Sequence, residues 1–127
     1  MFNYTVETTK SLEQTMIAIE ENLIEDKFGV LWNLDLTSKL RAKGQDFNTP
    51  YIILEVCNPK ETNNMLSNNL LVGYFLPCRI LIYVEEGTTR IGMPRPTELI
   101  GPSGDPNLLM IATNIENRLM SCIDKSV

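Results

Sequence analysis

Between Arg79 and Met93 the chain has to reverse direction. Arg79 to Glu85 is a strongly apolar run, Glu86-Gly87-Thr88 is a tight loop, and Thr89 to Met93 runs back. A hairpin of this kind commits the sheet around it to mainly antiparallel pairing. Pro94 and Pro96 then end the sheet, because proline cannot donate to a strand ladder. Residues 94 to 105, with several Pro and Gly, are expected to form a surface connection.

The remaining segments fit around that hairpin. Phe2 to Thr8 alternates and is rich in aromatic and β-branched residues, which predicts a strand. Ser11 with Gln14 three residues on is a capping box, and Leu12, Met16, Ile19 and Leu23 follow at helical spacing, widened by Ile17 and Ile24. Lys27 suits the last turn and Gly29 the stop. Val30, Trp32, Leu34 and Leu36 alternate with polar residues as a half-buried strand, which places Trp32 in the core. Thr37 to Pro50 reads as a connection with a helical turn around Ser38 to Ala42. Tyr51 to Cys57 is a strand with Ile52, Leu54 and Val56 on one face. Asn58 and Pro59 start a short helix running to about Leu70 and ended by Gly73. Asp105 and Pro106 start a last helix whose stripe is Leu108, Ile111, Ala112, Ile115, Leu119, Cys122 and Ile123.

This order predicts an α+β fold: a mainly antiparallel sheet, two amphipathic helices on one face, and a short helix inserted after Pro59. With 127 residues, the chain is expected to form one domain over residues 1–127. The uncovered face is less apolar and offers a natural dimer surface.

Composition narrows the function. A net charge of −5 and a pI near 4.7 give no electrostatic footprint for nucleic acid or for a membrane surface. No apolar run is long enough to span a membrane, and Met1-Phe2-Asn3-Tyr4 does not resemble a signal peptide. Three cysteines do not make a disulfide scaffold, so a reducing compartment, the cytoplasm, is expected. The absence of histidine excludes Ser-His-Asp and Cys-His catalysis and His-ligated metals.

Two cysteines beside prolines then stand out. Cys57 directly precedes the helix begun by Asn58-Pro59, where the helix dipole favours thiolate, while Glu55 on the same strand face opposes it. Cys78 follows Leu76-Pro77 and opens an apolar strand, in phase with Ile80, Ile82 and Val84. Each thiol also reads simply as a small packed core residue. If their strands are neighbours, the two sulfurs share one pocket; a zinc site would still need Glu55, Asp35 or a second subunit. Cys122 lies on the stripe of the last helix and reads as core. Lys39, Arg41 and Lys43 read as a solvated loop, and Glu20, Glu21, Glu25 and Asp26 as the wet face of a helix.

Tyr51-Ile52-Ile53-Leu54-Glu55-Val56-Cys57-Asn58-Pro59, followed by Leu76-Pro77-Cys78 and an apolar strand, resembles the family called "domain of unknown function 302". The opening strand and helix, Phe28-Gly29-Val30-Leu31, and Asp35-Leu36 leading into Lys43-Gly44 extend the resemblance over roughly residues 2 to 123. It implies a TATA-binding-protein-like sheet in the order strand, helix, four strands, helix, and a homodimer. It supplies a fold and no reaction, and it leaves the cofactor unknown. Arg79, where a small polar residue is expected, would either bring a positive charge near Cys78 or point to solvent, and Thr62 stands where a small apolar residue is expected.

The leading expectation is a non-enzymatic, homodimeric binding module. Its pocket, bordered by Cys57, Cys78, Asn58, Arg79 and Glu55, would take a small ligand, a soft metal or a sulfur species. One alternative is a thiol-dependent enzyme with Cys57 as nucleophile, which lacks an evident general base. The other is a purely structural interaction domain.

Overall fold

The computed structural model describes residues 1–127. Its elements run β1 (Asn3–Thr8), α1 (Leu12–Glu25), β2 (Gly29–Asp35), α2 (Leu36–Ala42), β3 (Tyr51–Cys57), α3 (Pro59–Asn68), a 3-10 helix (Leu70–Tyr74), β4 (Cys78–Glu85), β5 (Thr88–Pro94), α4 (Pro96–Ile100), a 3-10 turn (Gly101–Ser103) and α5 (Pro106–Ser126). The strands form one sheet in the order β1-β5-β4-β3-β2, and every neighbouring pair is antiparallel. The fold is α+β, with α1 and α5 on one face of the sheet.

Local chemistry starts most of these elements where the sequence predicts. The Gln14 N–H donates to Ser11 Oγ at 3.1 Å and the Ser11 N–H to Gln14 Oε1 at 3.0 Å, closing the capping box of α1. Asn58 Oδ1 accepts from the Glu61 N–H at 3.0 Å, and Asp105 Oδ1 from the Asn107 and Leu108 N–H groups, so α3 and α5 each begin with a side-chain cap followed by proline. Glu85 pairs with Thr88, so the β4–β5 loop is just Glu86-Gly87, with φ of 52° and 78°. Positive φ at both central residues is what a primed hairpin turn requires.

Several boundaries depart from expectation. Helix α1 is closed by Lys27, not Gly29: Lys27 takes φ 62°, and the N–H groups of Lys27 and Phe28 donate to the carbonyls of Ile24 and Leu23. Ile17 and Ile24 stay exposed, and Thr15 is buried in their place because its hydroxyl is satisfied by the Ser11 carbonyl at 2.8 Å. Helix α3 stops at Asn68, and the chain continues through Gly73 as a 3-10 helix. Leu36 begins α2, capped by Asp35, so Lys39 and Arg41 lie on a helix rather than in a loop. The connection after Pro94 is not all surface: α4 buries Pro96 and Ile100.

Trp32 is the clearest correction. The register of β2 against β3 skips Leu31, since Val30 pairs with Val56 but Trp32 pairs with Glu55. That bulge reverses the alternation of every later residue in the strand. Trp32 therefore joins Glu55 on the uncovered face and is 54% exposed, while Asn33 lines up with Leu54.

The core is one cluster of 21 residues. Ile52, Leu54 and Val56 of β3, Ile80 and Ile82 of β4 and Ile91 of β5 meet Ile19 and Leu23 of α1 and Leu119 and Ile123 of α5. Each fully buried side chain of this size contributes about 1.5–3 kcal/mol. Two arginines tie the helical layer together. Arg118 of α5 reaches Glu61 at 2.8 Å and Asp26 at 3.2 Å and lies over the Phe28 ring, 4.6 Å from its centroid. Arg95 meets Glu116 at 3.2 Å, and Glu116, 4% exposed, also accepts from the Thr97 N–H and hydroxyl. A buried carboxylate is tolerated there because donors satisfy both of its oxygens.

Candidate functional site

Strands β3 and β4 are neighbours, and Val56 pairs with Cys78, so Cys57 and Cys78 stand one register step apart at the same end of the sheet. Glu55 and Arg79 face each other one step further in, and Arg79 Nε donates to Glu55 Oε1 at 2.9 Å. The cross-strand register thus assembles four of the residues singled out in the sequence, and Asn58 follows as the α3 cap.

The two thiols nevertheless border different hollows. Cys78 lines a cavity of about 270 Å³ together with Glu55, Arg79, Tyr74, Pro77 and Leu99. Cys57 lies against a space of about 10 Å³ enclosed by Phe28, Asn58, Met65, Ile115 and Arg118, room for no more than one water. Leu76 borders both hollows. The separation has a local cause. Cys57 is the last residue of its strand, where the chain turns into α3 and faces the helical layer. Cys78 sits where β4 emerges beneath the 3-10 helix.

Both thiols are closed off, Cys57 at 4% and Cys78 at 6% exposure. Burial pushes the Cys78 thiol up to about 12, helped by the nearby Cys57 and by the Glu55 carboxylate. Arg79 does not reverse this; it is 57% exposed and bound to Glu55. Cys78 is therefore a neutral thiol at physiological pH, its Sγ 3.8 Å from the Phe75 carbonyl. All three cysteines are free, and Cys122 is buried on α5 as its place on the stripe predicts. No group of three or more Cys, Asp or Glu side chains gathers as a metal site.

Other features of the uncovered face escaped the sequence reading. Tyr51 and Tyr83 stack across β3 and β4, with centroids 5.0 Å apart and planes 9° from parallel. Gly92 lies beneath Thr5: a Cβ there would fall 2.4 Å from Thr5 Oγ1 and 2.8 Å from the Tyr4 carbonyl oxygen. The alternation of β3 and β4 marks both tyrosines as outward-facing, but only the register makes them partners.

Together these features define a class: an α+β protein whose antiparallel sheet is covered by helices on one face and ends in a thiol-lined hollow. The chain belongs to the DUF302 family, whose model, described as "Domain of unknown function DUF302", matches residues 4–126. It is similar to the crystal structure of an uncharacterized conserved protein DUF302 from Bacillus stearothermophilus. The two are 52% identical with a TM-score of 0.95, over 100% of this chain and 99% of that one. No curated protein matches the chain. No helix is long and apolar enough to cross a membrane.

Proposed function

We propose that this chain, one domain over residues 1–127, is a cytoplasmic, non-enzymatic binding module that holds a small ligand in the Cys78 hollow. The observation that carries the reading is the wall of that hollow. A buried neutral thiol and a half-exposed ion pair, Glu55 with Arg79, face one space of about 270 Å³. A few placed polar groups among apolar walls are what small-molecule sites need. A thiol that keeps its proton is a poor metal ligand and a poor nucleophile, which favours an uncharged binding role over a soft-metal, sulfur-transfer or thiol-enzyme one. Cys57 and Asn58 support the site from behind as packing and as the α3 cap. The three unpaired cysteines favour the cytoplasm, and the net charge of −5 disfavours nucleic acid.

The module works as a homodimer, its copies meeting over Leu31, Trp32, Leu34 and Ile53 at the β2 side of the uncovered face. Leu31 and Trp32 are large, apolar and exposed there without a partner in the monomer.

Two measurements test the reading. Thermal-shift screening against small metabolites, read together with iodoacetamide labelling, should find a compound that both raises the melting temperature and slows alkylation of Cys78. If every stabilising compound leaves Cys78 labelling unchanged, the site is wrong. Light scattering should give twice 14.4 kDa, falling to one chain in Trp32→Asp; a monomer in the wild type removes the dimer.

A further inference from the structure

The uncovered face carries a second hollow, of about 370 Å³, that the Cys78 site does not use. Its floor is Gly92. Thr5, Gly92 and Leu81 lie side by side on adjacent strands and on the same face. The Thr5 side chain takes the room that a Gly92 side chain would need, and the hollow opens beside it, with Thr5, Gly92 and Leu81 in its lining. A Cβ at Gly92 would strike Thr5 and the β1 backbone, so this strand pairing requires glycine.

The two ends of the gap differ in chemistry. Tyr83 closes one end, stacked on Tyr51, and Arg79 closes the other. Both belong to β4, four residues apart, which is about 13 Å between Cα atoms before side chains narrow the space. Glu55 engages Arg79 through Nε alone, leaving Nη1 and Nη2 without a protein partner on an exposed guanidinium. A guanidinium held by one nitrogen presents its remaining N–H groups in a fixed fork that matches a carboxylate. The opposite end presents aromatic rings and the Leu81 side chain.

We propose that the hollow over Gly92 binds a small aromatic carboxylate, its ring against Tyr83, Tyr51 and Leu81 and its carboxylate on the free nitrogens of Arg79. One or two fused rings span the distance between the two ends; a longer ligand would leave the hollow. The site adjoins the Cys78 hollow at Arg79 but does not depend on it.

Titration of the isotope-labelled full chain with 1-naphthoate, followed by amide NMR, tests this. Saturable shifts are expected at Leu81, Tyr83 and Gly92, with a Kd below about 1 mM. Arg79→Gln should weaken binding by about tenfold or more, and Tyr83→Leu by about fivefold. Tyr51→Leu serves in its place if the Tyr83 variant loses its dispersed spectrum. Cys78→Ser should bind as the wild type does, which separates this site from the Cys78 reading. The proposal is overturned by an absence of saturable shifts at millimolar ligand, by unchanged affinity in Arg79→Gln, or by equal affinity for the uncharged 1-naphthamide.

Discussion

The two faces of the sheet are built from the same five strands and differ in almost everything else. On the covered face Ile52, Leu54, Ile80, Ile82 and Ile91 are sealed beneath α1 and α5. On the other, Ile53, Leu81, Tyr51 and Tyr83 are half-buried, interrupted by Glu55, Arg79 and a glycine. The covered face carries stability. The uncovered face has shape and charge that stability does not call for, and both proposed sites lie on it or at its end.

The largest effect should come from testing this contrast directly. Ile82→Ala on the covered face should cost about 2–5 kcal/mol in urea unfolding, and Leu81→Ala, half-buried on the uncovered face outside the proposed dimer patch, about 1 kcal/mol. Equal costs would mean that the uncovered face is covered in solution well beyond that patch.

Gly92→Ala should be the exception on that face, at about 1–3 kcal/mol. Its Cβ meets the Tyr4 carbonyl as well as Thr5, and backbone cannot swing aside. A neutral result would show that β1 shifts easily and that the hollow is not a fixed feature.

Glu116 tests the helical layer. Hydrogen bonds from Thr97 and Arg95 outweigh the effect of burial and hold its carboxyl below the ordinary 4.5. A depressed carboxyl stabilises the fold above its unfolded pKa, and that contribution is lost as pH falls through the folded value. Glu116→Gln should therefore cost about 1–2 kcal/mol at pH 7, with the difference from wild type shrinking below pH 4.5. Parallel melting curves across the acid range would expose a constant difference, the outcome that contradicts this assignment.

The last test lies where the faces meet. With its thiol at about 12, Cys78 has roughly a thousandfold less thiolate at pH 8 than an ordinary cysteine. Alkylation of the native protein should be correspondingly slow and should quicken with every pH unit past 9. A raised thiol also stabilises the fold in full below its ordinary 9.0, and that contribution fades as pH climbs toward 12. Fast labelling at pH 8 would mean that the 3-10 helix opens readily over the hollow.

What the sequence determined by itself is local. Ser11 with Gln14, Asn58 with Pro59 and Asp105 with Pro106 place three helix starts, because a cap and its donors lie within four residues. The Glu86-Gly87 turn places the hairpin for the same reason. The stripe of α5 marks its buried face, including Cys122, and the C-N-P and L-P-C strings marked the family. Tertiary structure decided the rest. One bulged residue at Leu31 moved Trp32 from the core to the surface, since alternation carries no record of a skipped partner. The buried Glu116 is tolerated only because Arg95 and Thr97, some twenty residues away, come to meet it. The two cysteines became neighbours through the β3–β4 register, yet they entered separate hollows, one lined by α3 and the other by the end of the 3-10 helix, with Leu76 bordering both. Which face a residue shows, and what shares its cavity, depends on contacts far apart in the chain, and those exist only once the sheet has formed.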